Sequence, residues 1–160
     1  MIRKALATDA EAIAGIYNHY VLNTTVSFEN EAVSVEEMRS RIEHISASFP
    51  YFVDEEDGQI AGYCYAHPWK ERVAYCHTLE TTIYLSPQYQ RRGIGSLLMR
   101  RLIEQCRADG HHALVACITG GNEGSVALHG HLGFQQMSLF REVGRKFGQW
   151  LDVVDMELIL

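Results

Sequence analysis

The stretch with the most chemistry in it runs Ile83-Tyr84-Leu85-Ser86-Pro87-Gln88-Tyr89-Gln90-Arg91-Arg92-Gly93-Ile94-Gly95-Ser96. A β-rich segment stops at Ser86-Pro87, two arginines follow, and two glycines open a long amphipathic helix. The first backbone N–H groups of a helix lack intrahelical partners and sit at the positive end of its dipole. Glycines there let an anion such as a pyrophosphate approach the main chain. Arg91 and Arg92 add positive charge. The same glycines would also serve a plain tight turn from strand to helix, so the loop alone leaves both uses open. Two phosphate loops are excluded. No Gly-Lys-Ser/Thr follows, as a Walker A loop needs. The third glycine of a dinucleotide fingerprint is missing, because Leu98 stands there, and no acidic residue ends a following strand about 20 residues on.

That loop needs a strand before it and a helix after it. Val73 to Leu85 is rich in β-formers and reads as the strand. Gly93 to Ala108 carries Ile94, Leu97, Leu98, Leu102, Ile103 and Cys106 on one wide face, and Asp109-Gly110 stops it. Ala113 to Ile118 reads as a buried strand. Asn122 or Ser125 would cap a short helix through His131. Phe134 to Phe140 and Trp150 to Leu160 read as the last two strands, joined by Val143 to Gln149. On the N-terminal side, Ile2 to Ala5 is a short strand. Thr8-Asp9-Ala10-Glu11 and Ser34-Val35-Glu36-Glu37 are capping boxes for two helices. Tyr51 to Val53 and Ile60 to Ala66 pair around an acidic turn, Asp54 to Gly58. The order β-α-α-β-β-β-α-β-α-β-β predicts a mixed α/β fold with one open sheet.

A chain of 160 residues implies a single domain, 1–160, at about 150 residues per domain. With 47% hydrophobic and 21% charged residues, intrinsic disorder is excluded. A formal charge of −6 argues against nucleic acid as a partner. No apolar run approaches the ~18 residues of a membrane span, and polar Thr8-Asp9 follows Met1 to Ala5, unlike a secretory signal. Cys64, Cys76, Cys106 and Cys117 form no CxxC pair. They read as buried free thiols of a cytoplasmic protein, with no metal site implied.

The motifs then identify a resemblance. Gln90-Arg91-Arg92-Gly93-Ile94-Gly95 matches the Gln/Arg-x-x-Gly-x-Gly/Ala signature of the GNAT superfamily of N-acetyltransferases, which bind the pyrophosphate of acetyl-CoA. Asn122-Glu123-Gly124-Ser125 with Leu128-His129-Gly130-His131-Leu132-Gly133-Phe134 is similar to its second motif. Arg72-Val73-Ala74-Tyr75 and Glu80-Thr81-Thr82-Ile83-Tyr84-Leu85 resemble the narrower group that acetylates phosphinothricin, methionine sulfoximine and methionine sulfone. Thr25-Val26-Ser27-Phe28-Glu29 and Gly144 to Val153 fit the same group. The resemblance spans essentially the whole chain.

It implies a mixed, twisted sheet, partly split near its middle and flanked by helices, with acetyl-CoA wedged where the strands part. Ile83, Tyr84 and Leu85 would face the pantetheine arm, the Leu85 N–H polarising the thioester. Arg91, Arg92, Gly93, Ile94, Gly95 and Ser96 would hold the pyrophosphate. Asn122 and Ser125 would touch the cofactor, unless they only cap a helix. Glu80 would take the proton from an amino-acid α-amine; the competing reading is a solvated glutamate or a partner of Arg72. His129 stands where the family often has a tyrosine acid. A histidine could protonate the departing thiolate, or it could simply pack. Arg72 would bind an acceptor carboxylate, with Val73, Ala74, Tyr75 and Phe28 around the acceptor. Trp150, Phe140 and Phe147 read as core or dimer interface. A homodimer, no nucleic acid, no membrane and no metal complete the expectation. The activity implied is acetyl transfer to a small amino acid or analogue. Another amine, such as a peptide N-terminus or polyamine, is the alternative, as is a non-catalytic acyl-CoA sensor.

Overall fold

A computed structural model describes residues 1–160. Seven strands form one sheet: β1 (Ile2–Lys4), β2 (Tyr51–Glu56), β3 (Gln59–Pro68), β4 (Thr78–Leu85), β5 (Ala113–Thr119), β6 (Gln135–Lys146) and β7 (Gln149–Ile159). The helices are α1 (Ala10–Asn23), α2 (Val35–Ser46), α3 (Ile94–Ala108) and α4 (Glu123–His131). The strand order is β1-β2-β3-β4-β5-β7-β6. Every pairing is antiparallel except β4 with β5. The chain thus follows the order read from its sequence.

Strand alternation places one core on each face of the sheet. Phe52, Ala61, Cys64, Leu114 and Ala116 meet the apolar stripe of α3, namely Leu98, Met99, Leu102 and Cys106. Tyr51, Val53 and Tyr63 point the other way, onto Ile13 and Ile16 of α1 and Met38 and Ile42 of α2. Ser34 caps α2 as expected, its Oγ accepting from the Glu37 N–H at 3.1 Å.

The structure corrects several local expectations. Val73–Tyr75 is a 3-10 turn, and β4 starts only at Thr78. Pro68 already pairs with Leu79, so Val73 lies in the connection, without a neighbouring strand to satisfy its β propensity. Trp69 and Tyr75 pack edge-on there, with Lys70 over both rings. The capping box at Thr8 does not form. Asp9 instead accepts the Leu6 N–H and two guanidinium N–H groups of Arg3, each at 2.8 Å. β6 continues through Val143, and the β6–β7 turn is only Phe147-Gly148, both at positive φ, as a tight hairpin requires. Irregular register between Phe140 and Gly144 masks the alternation. Phe140, Phe147 and Trp150 are exposed and therefore not core. Only Cys64 and Cys106 are buried; Cys76 and Cys117 are exposed.

One pairing is short. β4 and β5 are joined through Thr78↔Ala113, Leu79↔Leu114 and Glu80↔Val115, and no further. Beyond Glu80 the two strands part.

The Arg3–Asp9 pair ties β1 to the start of α1. Burial opposes ionisation of Asp9, but Arg3 and the Leu6 N–H outweigh it and hold its pKa below the ordinary 3.8. Asp9→Asn should therefore cost about 1–3 kcal/mol of stability at neutral pH, read by chemical denaturation. A group with a depressed folded pKa stabilises above its unfolded value. The wild-type advantage should hold above pH 4 and shrink as pH falls through that range.

Candidate active site

The gap between β4 and β5 is flanked by three adjoining chambers that share lining residues. The first, about 490 Å³, lies between the end of β4, the start of α3 and the start of α4. The second, about 150 Å³, lies in the split itself, between Glu80–Tyr84 and Ala116–Thr119, with Asn122, Ser125 and His129 from the α4 side. The third, about 450 Å³, opens under the α1–α2 loop, around Tyr17, Phe28, Tyr65, His67, Glu80 and Cys117. Tyr84 and Val26 line all three.

Backbone alternation decides what β4 offers. The Ser86 N–H bonds Ala61 O on the β3 side, and Leu85 pairs with Gly62. Alternate residues of an antiparallel strand direct their polar groups to opposite sides. Ile83 and Leu85 therefore aim N–H and C=O away from β3, into the gap. Tyr20 of α1 donates to Leu85 O at 2.5 Å, and its hydroxyl accepts from Gln90 Nε2 at 2.8 Å. One tyrosine thus fixes the strand end and the following loop together. Burial raises the Tyr20 pKa, which keeps that hydroxyl a donor.

At the first chamber's mouth, Gly93 has φ +80° and caps α3 with no side chain. Arg91 also has positive φ. The opening N–H groups of α3 carry the positive dipole end. Gly95 brings α3 close to its neighbours: an added Cβ would lie 3.4 Å from Leu128 Cδ2 and 3.5 Å from Leu85 Cδ1. Arg91, Gly93, Gly95, Ser96, Asn122 and Ser125 line this chamber with Ile83, Tyr84 and Leu85. Arg92 does not: its guanidinium lies over the Tyr89 ring at 5.2 Å. The Ile94 side chain is buried in the core. Asn122 is the cap of α4, its Oδ1 accepting from the Ser125 N–H at 3.2 Å, and it still faces the chamber.

Around the split, Glu80 is half-buried and joins the second and third chambers. Neither Glu80 nor Arg72 takes part in a salt bridge. His129 is 2% exposed. Its Nδ1 donates to Ser125 O at 2.8 Å, its Nε2 is buried without a partner, and burial lowers its pKa. In that neutral form Nε2 accepts and does not donate. Cys117 is exposed yet faces Glu80, and partial desolvation of its sulfur in the groove together with that carboxylate raises its pKa, so it stays a thiol.

The third chamber is roofed by a braced loop. Arg41 donates to both carboxylate oxygens of Glu29, at 2.9 and 3.0 Å, and Tyr17 donates to the same carboxylate. These bonds hold Glu29 ionised, with its pKa lowered by Arg41. Burial and Glu29 push the Tyr17 hydroxyl up to about 12. Phe28 lines the chamber at 44% exposure. Arg72, Val73, Ala74 and Tyr75 line none of the three chambers. They sit on the β3–β4 connection, which springs from the strand ends bearing His67 and Glu80.

Tyr17, Tyr20, Glu29, Thr119 and Cys117 join the site only through the fold. Tyr17 and Tyr20 stand at helical spacing after Ile13 and Ile16, a pattern that signals only a helix face, yet both hydroxyls are bonded toward the groove. Gln90 was visible in the loop motif, but its bond to Tyr20 spans 70 positions.

A family model described as an acetyltransferase (GNAT) domain matches residues 2–154. The chain belongs to the GNAT acetyltransferases. Phosphinothricin N-acetyltransferase of Streptomyces viridochromogenes is 40% identical over 152 residues, covering 95% of this chain and 83% of that one. An L-methionine sulfoximine/L-methionine sulfone acetyltransferase of Salmonella typhimurium is 36% identical over 160 residues, covering 99% and 94%. A GNAT superfamily phosphinothricin acetyltransferase from Sinorhizobium meliloti, crystallised with acetyl-CoA, superposes with a TM-score of 0.96 at 38% identity, covering 100% of this chain and 88% of that one. The chain is an acetyl-CoA-dependent N-acetyltransferase.

The residues fit that co-substrate. A glycine-opened helix start suits a pyrophosphate, and a narrow gap lined by the main chain of Ile83 and Leu85 suits a pantetheine arm. In a GNAT enzyme built this way, Gly93→Val forces a branched residue into positive φ, and Gly95→Val crowds Leu85 and Leu128. Calorimetry should show acetyl-CoA affinity lost in both folded variants, and unchanged affinity would contradict the assignment of this loop.

Proposed function

We propose that the enzyme acetylates the α-amine of a small amino acid or analogue of the phosphinothricin or methionine sulfone type. The observation carrying this reading is the junction at Glu80, where a chamber of about 450 Å³ with polar groups in its wall, room for a whole small amino acid, meets the strand gap. The names of the relatives point to the same acceptor class.

Bound acetyl-CoA supplies an already activated acyl group, so no enzyme nucleophile is needed. Leu85 donates its N–H to the carbonyl oxygen where negative charge develops. Glu80 accepts a proton from the acceptor ammonium, directly or through one water, and frees the attacking lone pair. Holding both reactants in one groove lowers the entropic part of the barrier. His129 borders the reacting centre with Nε2 as an acceptor. Only its imidazolium could serve as an acid there, and burial disfavours that form. We therefore assign the thiolate's proton to the amine.

The third chamber itself is lined by no arginine or lysine. An acceptor carboxylate needs a cation from the rim, and Arg72 is the unpaired guanidinium on the neighbouring connection. A homodimer is also proposed. Met137, Leu139, Phe140, Val143 and Trp150 are exposed large apolar side chains concentrated on the last hairpin, the kind of surface a second copy would cover. A cytoplasmic enzyme acting on a free amino acid is the resulting picture.

The direct test is thiol release from acetyl-CoA with amino acids, methionine sulfone, a peptide N-terminus and a polyamine as acceptors. Preference for the peptide or polyamine would refute the acceptor class. Within that assay, Glu80→Gln should lower kcat by ~10²–10⁴ near neutral pH, with partial recovery as pH rises and free amine increases. Arg72→Ala should raise the acceptor KM about tenfold to a hundredfold and leave the acetyl-CoA KM alone. A near-normal kcat in Glu80→Gln would reduce Glu80 to a structural residue. Sedimentation at micromolar concentration should show the dimer, and a monomer alone would contradict it.

A further inference from the structure

We propose that Gly144 of β6 sets the length of acceptor side chain the site admits, by fixing where the Phe28 ring stands as the chamber's end wall. The inference rests on reading the third chamber as the acceptor site, and it adds a residue outside that chamber. Phe28 lines the chamber; Gly144 does not. The ring lies against Gly144 so closely that an added Cβ would be 2.4 Å from Phe28 Cε2 and 2.7 Å from Cζ. Real Cβ atoms do not reach such distances, so any side chain at 144 obliges the ring to move.

The backbone around Phe28 is held on both sides. Lys146, 3% exposed, donates from Nζ to Ser27 O at 2.6 Å. Thr119 Oγ1 donates to Val26 O at 3.2 Å. Tyr17 and Ser27 hydroxyls are 2.9 Å apart. On the far side, Arg41 grips Glu29 through two bonds. Displacement must then be taken up by the side-chain torsions of Phe28. Phe28 lines the chamber, and we take a ring displaced from Gly144 to swing into it and shorten it. Gly144 lines none of the three chambers, so the effect is one of positioning and should appear as a change in selectivity.

The test compares kcat/KM for alanine and for methionine sulfone in the wild type, Gly144→Ala, Phe28→Ala and the double variant. Gly144→Ala should lower kcat/KM for methionine sulfone by roughly tenfold or more while changing alanine by less than about threefold, since a methylene-sized change in a pocket is worth about 10–200-fold. The KM for acetyl-CoA should stay the same in all four proteins. Phe28→Ala adds no volume, should favour longer acceptors, and in the double variant should abolish the effect of Gly144→Ala. Equal losses for both acceptors, a gain for methionine sulfone in Gly144→Ala, or persistence of its effect without Phe28 would each overturn the proposal. If the wild type acetylates neither amino acid but does acetylate a peptide or polyamine, the acceptor reading fails and this proposal fails with it. Amino-acid turnover with unaltered selectivity defeats the Gly144 proposal alone.

Discussion

Between Glu80 and Leu85, β4 keeps its partner on one side and loses it on the other. Main-chain N–H and C=O groups removed from water need partners, and in a sheet the neighbouring strand supplies them. Here β5 stops pairing at Val115, and the deficit is met unevenly. The Tyr20 hydroxyl takes Leu85 O, while the outward N–H groups of Ile83 and Leu85 are left facing the gap. A split strand pair is thus a row of directed donors beside a slot. The βαβ crossover puts the N-terminus of α3 at the same end. The interrupted pairing and the crossover together bring main-chain donors and a helix dipole to one chamber.

The other elements keep that gap open and shaped. Tyr17, Tyr20 and Tyr63 pack around Tyr84, with ring centroids 5.1 to 5.8 Å apart. This aromatic slab stiffens β4 where β5 no longer supports it. The α1–α2 loop crosses over the gap and is fastened to β5 through Thr119 and to β6 through Lys146. Lys146 is buried with its pKa lowered by desolvation, a cost that makes sense only where the loop's position matters. The partly exposed Arg41–Glu29–Tyr17 cluster adds a second fastening on the other side of the loop.

Much of this was legible in the sequence, for identifiable reasons. The element order and the helix after Gly93 follow from local periodicity and punctuation, which short-range sequence records directly. Gln90 to Ser96 stood out because a helix start with glycines has its own chemistry. Glu80, Asn122 and Ser125 came from motif resemblance, and the fold brings all three to the groove. Arg72 to Tyr75 shows the limit. Val73 and Tyr75 have high β propensity and read as part of a strand from Val73, but a strand needs a neighbour, and whether one exists is a tertiary fact. The continuation of β6 through Val143 was hidden by a local irregularity that breaks the alternation. Tyr20 and Lys146 were invisible as site-shaping residues because their partners, Leu85 and Ser27, lie 65 and 119 positions away.

With β5 parted from β4 beyond Glu80, the Ile83 and Leu85 amides stand free until acetyl-CoA occupies the split. Residue-resolved amide hydrogen exchange with and without acetyl-CoA tests this most directly. Leu79, within the paired stretch, should be protected in both states. Ile83 and Leu85 should exchange readily in the free protein and become strongly protected on binding. Protection of Leu85 that is already high without acetyl-CoA, and unchanged by it, would contradict the account.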